Sequence, residues 1–384
     1  MVFLDINTFY GPRAGGIRTY HRAKLEWFAK QNDHVYCLIY PGPEYRVEKP
    51  SPGVYLVQVY GKTLTADPSG YRLMLDYRRV AQWIRKLNPD VIEAGDAWLT
   101  SWFCLWLRAA NLWNGLLVSF YHSDPVPSYL MPWSRRGSFR KIRAWIASLG
   151  SNLFYSIQRR FDRTATASHV MEDSLRRHRV TRVRRLPFGV HASIFERIHS
   201  FEPLRRKGAA DAPVRFLYAG RLDRDKGIEL LLEILPALLE NPSFRVTVAG
   251  RGAYADRFAS IKHERFRFAG FLEGRNALAA LYHSHDIFLA PGPHETFGLA
   301  VLESMASGLV AVAPSSGGSG ELLSELDSPF RFMAGNARGF LEAIHRAASA
   351  DLPLASEKHR ELARRYGTWD QAVERMVAAW RELA

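Results

Sequence analysis

The sequence predicts an α/β protein made of two doubly wound parallel-sheet domains. Three observations predict it. The chain has 384 residues, more than one hydrophobic core usually serves, so two domains are expected. In the second half, the apolar run Val214 to Gly220 leads into a short polar loop, Arg221 to Gly227, and then a helical stretch from Ile228 to Leu239. In the first half, Val2 to Ile6 leads through the loop Tyr10 to Gly16 into a helical stretch from Ile17 to Lys30. Strand, short loop and helix form the half-unit of a doubly wound sheet, whose ligands bind outside the carboxyl ends of the strands.

The elements follow in order. After the first half-unit come the strands His34 to Ile39, Asp90 to Ala94 and Leu116 to Phe120. The last runs into Tyr121 and His122, so His122 stands at a strand's carboxyl end, where catalytic groups cluster. Gly15 and Gly16 let backbone amides approach a ligand, an ordinary strand-to-helix turn being the lesser alternative. The apolar run Ala97 to Leu107 is too short to span a bilayer and ends at Arg108. Its tryptophans, Trp98, Trp102 and Trp106, recur every four residues and read as a core-facing helical stripe.

In the second half, Phe244 to Gly252 is a strand ending in Gly250-Arg251-Gly252, followed by strands Phe266 to Gly270 and Asp286 to Pro291. The chain then enters Pro293 to Glu303. Glu295 lies in a loop, a helix starts at Leu299, and Glu303 falls about two turns along it. The amides of Phe297, Gly298 and Leu299 open that helix, and such an N-terminus binds phosphate. An acid ahead of an anion site and a second beside it can hold hydroxyls of two sugars flanking a diphosphate. Arg221 and Lys226 suit phosphate oxygens, one as a planar fork and one as a point charge. Asp223-Arg224-Asp225 spells the D-x-D of a metal site, but inside this loop it reads as surface charge. The domain crossover is expected between Pro187 and Pro213. The last helix, Trp369 to Leu383, carries an apolar stripe at Ala372, Val373, Met376, Val377 and Trp380.

The string His294 to Glu303 resembles the glutamate-x7-glutamate signature of the retaining family-4 (group 1) glycosyltransferases, with Thr296 where the family usually has Pro. Gly220 to Gly227 looks like the family's G-R-L-x-x-x-K-G element. Gly317 to Glu321 resembles its G-G-x-P-E, with Gly320 in place of Pro. The resemblance covers essentially the whole chain and is strongest from Val214 to Glu321. It implies the GT-B fold, two Rossmann-like domains facing each other across a cleft. The acceptor-side domain would be residues 1–195 and the nucleotide-sugar domain 196–368, with helix 369–384 crossing back. It implies that Arg221 and Lys226 hold the donor diphosphate, Glu295 the sugar hydroxyls, Glu303 the ribose, and His122 the donor sugar. Gly15, Gly16, Gly220, Gly250, Arg251, Phe297, Gly298 and Leu299 would complete the donor site. The implied reaction moves a sugar from a UDP- or GDP-linked donor to a hydroxyl acceptor with retained configuration. The acceptor would be a lipid-linked or cell-surface glycan precursor, and neither cofactor nor metal is expected.

Charge adds a second theme. The chain carries 52 basic and 38 acidic side chains, a net charge of +14. Residues 129–190 hold thirteen Arg and one Lys against Asp162, Glu172 and Asp173. Apolar residues recur there at Phe139, Ile142, Ile146, Leu149, Leu153 and Ile157. Trp133, Trp145 and Phe154 could anchor at an interface, although Gly150 interrupts the pattern. A basic amphipathic segment with aromatics suits an anionic membrane surface over residues 133–160. The alternative is a helix packing that stripe on its own domain with a solvated basic rim. Cys37 and Cys104 lie in apolar segments without metal-ligand spacing, and two cysteines make no disulfide framework. The N-terminus carries Asp5 and enters the fold directly, unlike a signal peptide, so a cytoplasmic protein, peripheral on the inner leaflet, is expected. Other classes are a nucleic-acid-binding or nucleic-acid-modifying protein on this scaffold, an epimerase of the same fold, and a noncatalytic relative. No nucleic-acid motif accompanies the basic stretch, so no nucleic-acid partner is expected. A dinucleotide oxidoreductase would need a G-x-G-x-x-G after its first strand, which is missing.

Overall fold

The structure is a computed structural model that describes residues 1–10, 15–63, 72–96, 99–122, 140–193 and 212–383. Its contacts divide the chain into two compact units, Met1–Leu186 with Asp370–Ala384, and Pro187–Trp369. The expected boundary at 195/196 lies outside the described residues.

The first unit holds strands β1 (Val2–Ile6), β2 (Val35–Gly42), β3 (Arg46–Ser51), β4 (Val54–Thr63), β5 (Arg72–Met74), β6 (Val91–Ala94), β7 (Leu116–Phe120), β8 (Arg163–Thr166) and β9 (Val183–Arg185). They run in the order β3-β4-β2-β1-β6-β7-β8-β9, with β5 beside β4. Pairing is parallel except at β3 and β5, both antiparallel to β4. The central strands are buried and apolar, as a sheet covered on both faces requires. Edge strand β3, Arg-Val-Glu-Lys-Pro-Ser, is mostly exposed, and its charges and proline discourage edge pairing. Its helices are α1 (Gly16–Phe28), α2 (Tyr77–Leu87), α3 (Leu99–Ala109), α4 (Arg140–Gln158) and α5 (His169–Arg177).

The second unit holds β10 (Val214–Ala219), β11 (Phe244–Ala249), β12 (Phe266–Gly270), β13 (Ile287–Leu289), β14 (Val310–Pro314) and β15 (Arg331–Phe332), in the order β12-β11-β10-β13-β14-β15 and all parallel. Helices α6 (Ile228–Glu240), α7 (Ala255–Ala259), α8 (Arg275–His283), α9 (Leu299–Ala306), α10 (Gly317–Ser324), α11 (Ala337–Ala348) and α12 (Leu352–Tyr366) cross between and beyond them. One core packs Phe216, Val246, Ile234 and Ile344 between sheet and helices. Strand order reverses at β10/β13, and the loops leaving those two neighbours open at this switch point. The final helix, α13 (Trp369–Arg381), contributes Asp370 onward to the first unit. There Lys30 Nζ meets Asp370 at 2.6 Å and Arg184 meets Glu382 at 2.7 Å.

Two expectations about surface and core are corrected. Trp102 and Trp106 do not face the core; they are 40% and 56% exposed. The core face of α3 is instead Thr100, Ser101, Cys104 and Leu107, one helical step round. Trp98 lies outside the described residues. Helix α4 runs unbroken through Gly150. Its apolar stripe divides by depth: Phe154, Tyr155 and Ile157 are buried, while Ile142, Trp145, Ile146, Leu149 and Leu153 face solvent. Phe154 is therefore a core residue rather than a surface anchor. Trp133 and Phe139 lie outside the described residues.

Candidate active site

In the second unit the site is assembled by loops leaving β10, β11 and β13. After β10 the chain turns at Gly220, passes through a 3₁₀ turn at Arg224–Lys226, and enters α6 through left-handed Gly227. The loop after β11 braces it: Leu222 N–H donates to Arg251 O at 2.8 Å, and Tyr254 N–H to Leu222 O at 3.0 Å. Gly250 is required here, with φ of 146° and its Cβ direction only 1.9 Å from Gly220 O. Arg251 itself lies over the ring of Phe271 at 4.0 Å.

The Arg221 guanidinium is held by Asp223 at 2.6 Å and by Asp225 at 2.5 Å. The other Asp223 oxygen accepts from Ala253 N–H. This corrects the expectation that the D-x-D is surface charge. Its two carboxylates orient Arg221, and the guanidinium has five N–H donors, more than these two contacts use. Lys226 Nζ reaches Glu295 Oε1 at 2.7 Å. The two loops thus bring together the lysine assigned to phosphate and the acid assigned to sugar.

Glu295 precedes α9, whose N-terminal cap is Gly298 in the left-handed conformation. The loop is fixed from behind by α10. Gly318 N–H donates to Glu295 O at 2.6 Å, and Phe297 is buried against Phe188 and Tyr366. The helix starts at Leu299 as expected, and Glu303, four residues on, lies just over one turn into α9 rather than two. Its carboxylate accepts from Tyr282 OH at 3.3 Å. Burial pushes the Glu303 carboxyl up to about 7, with Tyr282 and the charge of Arg275 opposing. An unfolded glutamate titrates near 4.5. Between those values the folded chain keeps a proton that the unfolded chain has released, so stability falls as pH rises through the interval. Glu303→Gln should therefore melt with the parent near pH 4.5 and above it at pH 8. Parallel melting curves at both pH values would show that the carboxyl is not buried as described.

In the first unit, Gly15 caps α1, and among the described residues no other part of the fold comes within 4 Å of the Cβ direction of Gly15 or Gly16. Among the described residues, packing gives no reason for two glycines there. His122 follows β7, stacks on Phe120 at 4.7 Å and meets Tyr20 edge-on at 4.5 Å. Burial, aided by His21 and Lys24, holds its imidazole well below the usual range, so it is neutral at pH 7. Beneath it lies a buried polar network that sequence reading missed. Lys24 Nζ bridges Asp5 at 2.6 Å and Glu93 at 3.1 Å. Tyr20 OH donates to Glu93, Tyr36 OH to Asp5, and the His21 ring pairs with Asp5 and Asn7. Burial alone would raise Asp5, but Lys24 and His21 hold it low; burial and the Asp5 charge raise Glu93. The lone Asp in β1 and lone Glu in β6, each inside an apolar strand, were the available signal. Buried polar groups persist when every member is paired.

The candidate residues therefore fall into two groups. Gly220, Arg221, Lys226, Gly250, Arg251, Glu295, Phe297, Gly298, Leu299 and Glu303 lie at the β10/β13 switch point of the second unit. Gly15, Gly16 and His122 lie at carboxyl ends of strands in the first.

Residues 213–350 match the family model described as Glycosyl transferases group 1, and residues 14–193 match Glycosyltransferase Family 4. A GDP-mannose-dependent alpha-(1-6)-phosphatidylinositol dimannoside mannosyltransferase of Mycobacterium tuberculosis is 28% identical over 396 aligned residues, covering 100% of this chain and 97% of that one. A GDP-mannose-dependent alpha-mannosyltransferase of Mycolicibacterium smegmatis is 30% identical over 240 residues, 62% of this chain and 60% of its own. Sucrose-phosphate synthase from Thermosynechococcus elongatus shares the fold with a TM-score of 0.77 at 21% identity, over 100% of this chain and 98% of that one. The chain belongs to the group 1 glycosyltransferases of the GT-B fold.

Proposed function

We propose that the protein is a retaining mannosyltransferase that takes GDP-mannose as donor and a hydroxyl of a lipid-linked glycan as acceptor. The Lys226–Glu295 pair at the switch point carries this reading, together with Glu303 one turn into α9. The choice of guanine and mannose is supported by the GDP-mannose-dependent relatives. In the reaction the anomeric carbon–oxygen bond to the diphosphate breaks, and a new one forms to the acceptor oxygen on the same face. The acceptor proton leaves with the diphosphate. Positive charge spreads over an oxocarbenium-like sugar while negative charge grows on the leaving group. Arg221, Lys226 and the amides at Gly298 stabilise that growing charge, and no metal is needed for the step. Glu295 holds sugar hydroxyls, Glu303 the ribose, and neutral His122 accepts or donates one hydrogen bond at the sugar.

A thermal-shift screen of GDP-mannose against UDP- and ADP-sugars tests the donor. A ligand at about 100 times its dissociation constant adds roughly 2.7 kcal/mol of stability. GDP-mannose should give the largest shift; silence from every nucleotide sugar would end the reading. The two acids should separate. Glu303→Gln should weaken GDP and GDP-mannose alike. Glu295→Gln should bind GDP at least as well as the parent, since Lys226 is released from its partner, yet transfer poorly. Calorimetry showing both variants indistinguishable from the parent, with normal turnover, would reduce the pair to a charged loop and helix face.

No helix among the described residues is long and apolar enough to cross a membrane. The exposed face of α4 fits a peripheral role on the cytosolic leaflet. Trp145 and Leu149 would enter the interface while Lys141 and Arg143 meet anionic headgroups, each cation contributing on the order of 1 kcal/mol. Trp145→Ser with Leu149→Ser should release the protein from anionic vesicles, as should high salt. Absence of vesicle binding by the parent at low salt would leave the donor assignment intact and make the acceptor soluble.

A further inference from the structure

A pocket lies in the first unit, at the opposite end of the sheet from His122. It is a cavity of about 670 Å³ walled by Arg108 and Leu105 of α3, Arg159 and Arg160 just beyond α4, and Arg179 and Arg182 between α5 and β9. Arg182 O accepts from Thr164 N–H at the start of β8, and Asp162 receives Leu117 N–H near the start of β7. The pocket therefore opens at the amino ends of β8 and β9, whereas His122 follows the carboxyl end of β7. A four-residue strand separates the two ends by roughly 13 Å.

The arginines have different local duties. Arg108 pairs with Asp162. Arg159 donates to His178 O at the end of α5, and Arg160 spreads over Trp102 at 5.7 Å. Arg179 and Arg182 have no acidic partner among the described residues. Helix C-termini do attract cations, and α3, α4 and α5 all end here. Each such terminus carries about half a negative charge. Three of them with Asp162 do not balance five guanidiniums, so the pocket keeps a positive excess.

Arg179 adds an independent observation. It has φ of +62° and occupies the position after the α5 cap, with Val180 N–H returning to Leu175 O at 3.0 Å. That position in a helix-ending turn favours glycine. An arginine there is held in a backbone conformation that local folding disfavours, and its side chain lines the cavity. Buried Val180 anchors the turn.

We propose that this pocket binds a phosphate ester at a site separate from the donor site. Its volume is in the range of small-molecule sites, larger than inorganic phosphate alone needs. Guanidinium forks match phosphate oxygens in pairs. The phosphate ester is either a soluble metabolite or the headgroup of an anionic lipid.

The test uses the full-length protein and the double variant Arg179→Gly, Arg182→Gln. Glycine suits the left-handed turn, so the variant should melt no lower than the parent and keep its thermal shift with nucleotide sugar. Both proteins are titrated with glycerol 3-phosphate by calorimetry, and separately sedimented with phosphatidic acid vesicles in phosphatidylcholine. The parent should bind one probe at least tenfold tighter than the variant. Discrimination with glycerol 3-phosphate assigns a soluble ester; discrimination with vesicles alone assigns a lipid headgroup. No binding of either probe by the parent, or equal binding by the two proteins, overturns the proposal.

Discussion

Lys226→Ala should slow sugar transfer by about 10²–10³-fold while leaving the melting temperature almost unchanged. The two magnitudes separate because the residue has two jobs. In the ligand-free protein Lys226 makes a partly exposed pair with Glu295, and such pairs contribute about 1 kcal/mol or less to folding. On the proposed clamp it would face, in the transition state, charge on the departing diphosphate, where one preorganised donor contributes about 2.7–4 kcal/mol. Arg221→Ala should lose at least as much turnover, because it also strips Asp223 and Asp225 of their shared cation. Two carboxylates then stand uncompensated beside the phosphate position. Wild-type rates in both variants would end the clamp assignment. Strict dependence on a divalent metal would return Asp223 and Asp225 to a metal-binding reading.

Gly318→Ala should destabilise the protein by about 1–3 kcal/mol, the usual cost of forced overpacking, and abolish transfer as well. An added Cβ would lie 2.3 Å from Phe297 Cα and 2.5 Å from its backbone N and C. These are main-chain atoms and cannot swing aside like a flexible side chain. The strand of loop that must move is the one carrying Glu295 and the helix-opening Gly298. Gly15→Ala provides the contrast: with no described atom within 4 Å, it should melt like the parent. Kinetic assays and melting curves on the two variants decide the point. A Gly318→Ala protein with normal stability and turnover would mean that α10 does not support the donor loop.

Both half-units were legible because short polar loops punctuate apolar strands and open into helices. The position of Glu295 ahead of α9 was legible because Gly298 marks where the helix can start. With that start, four residues make little more than one turn, so the depth of Glu303 was legible too; its burial against Tyr282 of α8, distant in sequence, was not. The roles of Asp223 and Asp225 were hidden by a motif whose usual meaning is metal binding. Only the folded loop shows that both side chains turn back onto Arg221. The tryptophan stripe failed for a related reason. A repeat of four drifts around a helix, and the pattern alone does not say which side the sheet covers. The covered side is the one carrying Thr100, Ser101, Cys104 and Leu107. The network under His122 joins Asp5, Lys24 and Glu93, which lie far apart in the chain and share no local pattern.

The Lys226–Glu295 contact also bears on the order of events after transfer. On the proposed donor assignment, an intact sugar nucleotide would give Lys226 a phosphate and Glu295 a sugar hydroxyl, satisfying both partners of the broken pair. Once the sugar had left, the remaining diphosphate would still compete for Lys226, but Glu295 would have no replacement and would pull the lysine back. The spent nucleotide would thus be held less firmly than the fresh one by the same two side chains. The loop pair would then act as an ejector, biasing turnover toward release and limiting inhibition by accumulated product.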